Sequence, residues 1–292
     1  MLLIVFAVAL PTFAQDATEA APSADTPSVC TPDELKQVIA QVGKISEKMT
    51  DASKAGTDAQ TTDQLTASLL AWGDAYQTYF SGVYTGYPQC IDGVLMSDML
   101  GFLLNEQMTL SSAALLGAVQ PDMGNDKTLI DMATAQNSME TQGSGAFSTF
   151  IKLVGQGNAT GSWLPACTAD QLKLTTTLDG FEQTWVEQAP AMQTYLNDGT
   201  VDKTAYLALA KLVGDFDAIL PSDSWDCTDL YRRVINDIYI FGDSFTALSI
   251  GAIAPSIKDN ADFTHLQQYF DSVISDYLTT LIATPEATDT SS

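Results

Sequence analysis

The segment Cys30-Thr-Pro-Asp-Glu-Leu-Lys36 recurs 137 residues later as Cys167-Thr-Ala-Asp-Gln-Leu-Lys173. Each copy has a Thr followed three residues later by Glu or Gln, which is the sequence signature of a capping box at the start of a helix. The other two cysteines, Cys90 and Cys227, are also 137 residues apart. Superposing the two halves of the chain without gaps therefore aligns all four cysteines, and this register predicts an internal duplication.

The hydrophobic pattern predicts four helices in each copy. The first helix of each copy begins at the capping box. In copy one the others are expected at about residues 64–83, 92–118 and 127–154, and in copy two they begin near residues 202, 229 and 262. Short connections favour an up-down-up-down arrangement. The sequence therefore predicts an all-α protein made of two tandem, disulfide-tied four-helix bundles.

The positions of the cysteines predict how they pair. In each copy they precede the first and third helices, whose N-termini lie at the same end of an up-down-up-down bundle. Of the three connectivities that four cysteines allow, Cys30–Cys90 with Cys167–Cys227 is therefore the geometrically natural one, because the other two would cross-link the copies. An even number of cysteines also favours an oxidising compartment.

Both ends of the chain differ in composition from the two copies. Residues 1–14 are an apolar run closed by small residues, as in a signal peptide, with a membrane anchor as the alternative. Residues 15–29 form an acidic linker and residues 284–292 a tail, and both have too few large apolar groups to fold. This leaves helical bundles at 30–155 and 156–283. The expected location is secreted or periplasmic, with no stable membrane span after processing.

The charge of the chain excludes several functions. The 292 residues include 36 acidic and 12 basic side chains, for a net charge of −24, and one histidine. Nucleic-acid binding needs clustered Lys and Arg, so it is not expected. A single histidine excludes multi-His zinc sites and paired Glu-x-x-His motifs, and no metal or cofactor is predicted. Copy two is the more acidic, and its stretch 215–229 is expected to be a solvated, cation-facing surface.

One segment resembles an enzyme motif. Ile238-Tyr-Ile-Phe-Gly-Asp-Ser-Phe-Thr-Ala247 resembles the Gly-Asp-Ser block of the SGNH hydrolases, and Asp262-Phe-Thr-His265 resembles their Asp-x-x-His block. The resemblance implies Ser244 as nucleophile, His265 as base and Asp262 as its orienting group. The blocks lie only 18 residues apart here, however, and apolar residues keep helical spacing through Ser244. A serine esterase is therefore the disfavoured alternative, and the chain is predicted not to be an enzyme.

Five residues are candidates for ligand binding. Glu106 and Asp243 are equivalent in the two copies and interrupt the most apolar helix of each. The favoured interpretation places both at the rim of the apolar stripe, in contact with solvent, and the alternative makes them polar anchors inside a bundle pocket. Tyr84, Tyr87 and Trp225 lie in predicted loops, where aromatic side chains supply binding area.

These features predict an exported acidic binding or interaction module. Its partner would be a basic protein, an envelope component or a small molecule. The alternative is a carrier that holds a small apolar or cationic ligand inside the bundles. A role shared by both copies is expected to use matched residues such as Glu106 and Asp243.

Overall fold

The computed structural model describes residues 27–160, 165–220, 227–257 and 259–283. The predicted signal segment, the tail, most of the linker and Trp225 lie outside these residues. Within the described ranges the chain forms helices and no β-strand, so the all-α prediction is confirmed.

The helices follow one another along the chain with short connections. They are α1 (Pro32–Thr57), α2 (Thr62–Thr78), α3 (Ile91–Val119), the single turn α4 (Pro121–Gly124), α5 (Lys127–Gly155), α6 (Ala169–Asp198), α7 (Lys203–Ile219), α8 (Thr228–Ile253) and α9 (Ala261–Ala283). A π-helical turn, Tyr79–Val83, and a 3-10 turn, Tyr84–Gly86, extend α2. Each predicted helix is present and begins within two residues of its expected start.

Capping boxes start both α1 and α6, as predicted. The Thr31 backbone N–H donates to Glu34 Oε2 at 2.7 Å, and the Glu34 N–H donates to Thr31 Oγ1 at 3.3 Å. Thr168 and Gln171 repeat this arrangement at α6. Each box satisfies backbone donors that the first turn of a helix leaves free.

Both predicted disulfides are confirmed. Cys30 is bonded to Cys90 and Cys167 to Cys227, each pair separated by 60 residues. Cys90 and Cys227 are the N-cap residues of α3 and α8, while Cys30 and Cys167 lie just before α1 and α6. Each bridge therefore ties the N-termini of the first and third long helices of its half.

The centre of the molecule is the contact between α3 and α8, one helix from each half. Thr109 Oγ1 and Thr246 Oγ1 lie 3.4 Å apart where the helices cross. Further contacts join the halves, since α5 of the first half packs on α7 of the second and α9 packs on α2. The two halves are therefore joined through three helix pairs, α3–α8, α5–α7 and α2–α9, rather than at one surface.

The buried side chains of both halves form one continuous hydrophobic core. Two separate bundles are accordingly not confirmed. The physical reason is that α3 has no distinct polar face, so it is covered by α2 and α5 of its own half and by α8 of the other half. The domain boundary near residue 155 remains a prediction, and the hydrophobic core continues across it.

One stretch of the described residues, Arg233–Ser256, is long and apolar enough to cross a membrane. In this fold 72% of that window is buried inside the protein. The stretch largely coincides with α8, and its hydropathy is that of a central core helix.

The close approach of α5 and α7 depends on Gly214. A Cβ at Gly214 would lie 2.8 Å from Met132 Cα, which is backbone and cannot rotate away, whereas a Cβ at Gly180 in α6 would meet nothing within 4 Å. We expect Gly214→Ala to lower the free energy of unfolding by about 1–3 kcal/mol. Gly180→Ala should raise it by about 0.5–1 kcal/mol, because alanine is the better helix former. Urea unfolding followed by circular dichroism measures both, and an unchanged Gly214→Ala protein would contradict the close packing.

Candidate functional site

Glu106 and Asp243, the matched candidates of the two halves, are both buried. Their exposed fractions are 1% and 2%. The expectation that they lie at a solvent-exposed rim is therefore wrong. Both side chains lie on parts of α3 and α8 that other helices cover, so they do not reach solvent.

Asp243 is held by three hydrogen-bond donors. Tyr76 Oη donates to Oδ1 at 2.7 Å, Asn105 Nδ2 donates to Oδ1 at 2.8 Å, and Tyr277 Oη donates to Oδ2 at 2.8 Å. Burial raises the pKa of Asp243 to about 7, although the three donors oppose this shift. The carboxyl thus joins α2 and α3 of the first half to α8 and α9 of the second, and it ionises near neutral pH.

Glu106 has different surroundings, made of other acidic and amide side chains. Burial raises the pKa of Glu106, the charges of Asp217 on α7 and Glu140 on α5 raise it further, and the Gln136 carboxamide opposes the shift. Burial also raises the pKa of Asp217. Glu106 Oε2, Asp217 Oδ2 and both polar atoms of Gln136 are buried and have no hydrogen-bond partner among the described residues. Ionisation of Glu106 is therefore costly here.

Sequence reasoning missed most of these partners. Tyr76 had the helical spacing of a core aromatic, and nothing marked Tyr277 or Gln136 as polar partners. Asp217 belonged to a stretch expected to be a solvated surface, yet its exposed fraction is 5%. Its place on the inner face of α7, three residues after Gly214, is the signal that could have separated it from its exposed neighbour Asp215.

The loop aromatics are only partly where the sequence placed them. Tyr87 is buried, and its ring lies 6.5 Å from that of Tyr79. Tyr84 is half-buried, and its ring lies 5.9 Å from the same Tyr79 ring. Tyr87 therefore fills the core instead of offering contact area. Trp225 lies outside the described residues.

The residues of the hydrolase-like motif are in unrelated environments. Ser244 is fully buried in the middle of α8, and its Oγ accepts a hydrogen bond from Trp185 Nε1 at 2.9 Å. Asp262 and His265 are exposed on α9, where they border a groove shared with α2. A nucleophilic serine of this kind needs an exposed strand-to-helix turn, and Ser244 does not have that setting.

Two surface depressions are present in the described part of the chain. One, of about 530 Å³, lies where α4, the α6–α7 connection and the end of α8 meet, and its lining includes Gln120, Asp122 and Lys203. The other, of about 290 Å³, lies between α2 and α9 and includes Asp74 and His265. Neither is lined by Glu106 or Asp243, so neither supports a carrier that holds its ligand beside these carboxyls. In the same part of the chain no group of three or more His, Cys, Asp or Glu is placed to hold a metal ion.

The outer helices of the two halves differ strongly in charge. In the second half, α6 and α9 pack against each other and together carry eight acidic residues and one Lys, a net charge of −7. In the first half, the corresponding helices α1 and α5 also pack together, but they carry six acidic and six basic residues. The same helix pairing therefore presents an acidic surface in one half and a balanced one in the other.

Most of the acidic side chains of α6 and α9 are not neutralised. Arg233 of α8 pairs with Asp179 at 2.5 Å and with Glu182 at 2.9 Å. Four other carboxylates are exposed and have no Lys or Arg of the described residues within ion-pair distance: Glu187, Asp198, Asp262 and Asp276. We call the surface that carries these four side chains the acidic face.

Comparison of this chain with models of protein families, with curated proteins and with solved structures finds no match. Its function has therefore to be inferred from its own geometry and charge.

Proposed function

We propose that the protein is an exported binding module that docks a polycationic partner, such as a basic protein or a basic envelope component, on the acidic face. The observation that carries this proposal is the difference between two equivalent helix pairs. The pair α6 and α9 has a net charge of −7, whereas α1 and α5 have none. A local excess of negative charge is suited to steering a cation to that part of the surface.

Hydrogen bonds also join the two helices that carry the acidic face. Tyr195 Oη, on α6, donates to Asp271 Oδ1 on α9 at 2.6 Å and accepts from Gln267 Nε2 at 3.2 Å. The two helices are thus joined by polar contacts as well as by the core. A rigid array of carboxylates loses little conformational freedom when a partner binds, and this favours affinity.

Export is supported by the two disulfides. Bonds between Cys30 and Cys90 and between Cys167 and Cys227 are consistent with an oxidising compartment. The apolar segment 1–14 fits the same interpretation.

We also infer that the two halves arose by duplication and share one core. Two close contacts between the halves support this inference. A Cβ at Gly73 of α2 would lie 2.6 Å from the Leu266 side chain of α9, and a Cβ at Gly214 of α7 would lie 2.8 Å from the Met132 backbone of α5. The helices α2 and α7 both have 17 residues. Pairing Gly73 with Gly214 shifts the ungapped register of these helices by four residues, one helical turn.

Binding of polylysine tests the proposed function. The native protein should bind polylysine, and the affinity should fall as salt is added, since exposed charges are screened. A variant neutralised on the acidic face should bind about tenfold more weakly, since each lost charge contact at a surface contributes a fraction of a kcal/mol. Its substitutions are Glu187→Gln, Asp198→Asn, Asp262→Asn and Asp276→Asn.

A matched variant of the first half controls for net charge. It also loses four exposed negative charges, through Glu47→Gln, Asp51→Asn, Asp63→Asn and Asp131→Asn, and its affinity should stay within about twofold of the native value. Isothermal titration calorimetry measures all three proteins. Equal weakening of the two variants would mean that only net charge matters, and absence of binding by the native protein would exclude a polycationic partner.

A further inference from the structure

We propose that Glu106 and Asp217 form a buried proton-holding pair, and that ionisation of both loosens the α5–α7 contact between the two halves. The pair is formed by side chains from three helices. Glu106 comes from α3, Asp217 from α7 and their amide neighbour Gln136 from α5. The device would make the interlock of the halves sensitive to pH.

The hydrogen-bonding capacity of these groups requires protons. Glu106 Oε2, Asp217 Oδ2 and Gln136 Oε1 are acceptors without a partner, and Gln136 Nε2 is the one unpartnered donor group beside them. An ionised carboxylate can only accept, whereas a protonated carboxyl group is also a donor. A proton on each acid supplies a donor where acceptors now lack a partner.

No cation among the described residues is placed to replace these protons. The titratable groups placed against Glu106 are Asp217 of α7 and Glu140 of α5, both acids, and Glu140 Oε1 accepts from Ser144 Oγ at 2.7 Å. Among the described residues no Lys or Arg forms an ion pair with any of these three acids. The nearby carboxyl from α8, Asp243, is occupied by its own three donors. Ionisation of both acids would therefore place two like charges in the core without compensation.

The pair lies next to a close backbone contact between the halves. Gln136 follows Met132 by four residues on α5, and Asp217 follows Gly214 by three residues on α7, so each shares a helix face with the residue of the close contact. Repulsion between the ionised acids would act directly on this contact. Water entering to solvate the charges would have to separate α5 from α7.

Asp243 provides an internal comparison. It occupies the matched position on α8, but with three donors it can ionise while its hydrogen bonds are kept. We therefore expect its ionisation to leave the α5–α7 contact closed.

Hydrogen exchange of the intact protein tests the loosening. As the pH is raised over the range in which the protein stays folded, and after correction for intrinsic exchange, amides of α5 and α7 should lose protection about tenfold more than those of α1. In the double variant Glu106→Gln, Asp217→Asn this loss should disappear, whereas Asp243→Asn should keep it. Equal pH dependence in the native protein and the double variant would overturn the proposal.

Infrared spectroscopy tests whether the buried acids are protonated, and it requires only a single variant. At neutral pH the native protein should show the carbonyl band of protonated carboxylic acid, and Glu106→Gln alone should reduce it because one of the acids is removed. A band that Glu106→Gln leaves unchanged would show that Glu106 is ionised at neutral pH, and the proposal would fail. If the double variant does not fold, the infrared spectrum of Glu106→Gln and the hydrogen-exchange profile of the native protein still test the proposal.

Discussion

Lowering the pH from about 8 to about 5 is expected to increase the free energy of unfolding of this protein. Burial raises the pKa of Asp243 from its ordinary value of 3.8 to about 7. Burial also raises the pKa values of Glu106, Asp217 and Asp237. Between the ordinary and the raised values the folded protein binds more protons than the unfolded chain. The associated stability is complete below about pH 4 and is lost as the pH rises through about 7.

The size of this effect is large for a single group. For Asp243 alone the shift corresponds to on the order of 4 kcal/mol, and the other buried acids act in the same direction. Urea unfolding at several pH values measures it. The net charge of −24 also favours acid, because protonation reduces surface repulsion, but added salt screens that part.

The variant Asp243→Asn separates the two contributions. Its side chain cannot ionise, so its stability should show a shallower pH dependence than that of the native protein. The carboxamide nitrogen that replaces Oδ2 cannot accept from Tyr277 Oη, so the slope with pH, and not the absolute stability, is the quantity to compare. Asp276→Asn removes one exposed acid and serves as the matched control, with little effect at either pH. Stability that increases from about pH 5 to about pH 8 would contradict the burial of these acids.

Removal of either disulfide is expected to destabilise the whole molecule. Each bridge closes a segment of 60 residues, for which the chain-entropy model gives about 4 kcal/mol. The variants Cys30→Ala, Cys90→Ala and Cys167→Ala, Cys227→Ala should lose comparable amounts. Because both halves share one core, each variant should still unfold in a single transition.

Two independent bundles would behave differently. Loss of one bridge would then lower the midpoint of its own half only, and the other half would unfold at the native midpoint. Tryptophan fluorescence and circular dichroism recorded on the same urea series distinguish these cases, since coincident curves indicate one cooperative unit. Separate transitions would contradict the single core.

The helices, their caps and the disulfides were predictable because they depend on local sequence. Thr31 and Thr168 each cap a helix with a partner three residues away, and this pattern is visible in the sequence. The pairing of Cys30 with Cys90 followed from the order of the helices and an assumed antiparallel packing. Apolar periodicity then placed the helix starts within two residues.

The packing of the halves and the polar core were not predictable from local pattern. Tyr76 is 167 residues from Asp243, to which it donates, and no periodicity links the two. Glu106 on an apolar helix resembles a rim residue unless the helices that cover it are known. Asp217 could have been separated from its exposed neighbour Asp215 by its position on α7, but its place beside Glu106 of the other half could not have been predicted. These contacts depend on the packing of α5 against α7 and of α9 against α2, which joins the two halves.

Carboxyl footprinting of the protein, with and without bound polylysine, tests the central proposal most directly. Carbodiimide modification followed by peptide mapping reports the accessibility of each exposed acid. Binding should protect the acidic face, at Glu187, Asp198, Asp262 and Asp276, and leave the exposed acids of the first half as reactive as before, at Glu47, Asp51, Asp63 and Asp131. Uniform protection of both sets, or protection confined to the first half, would contradict a docking surface on α6 and α9.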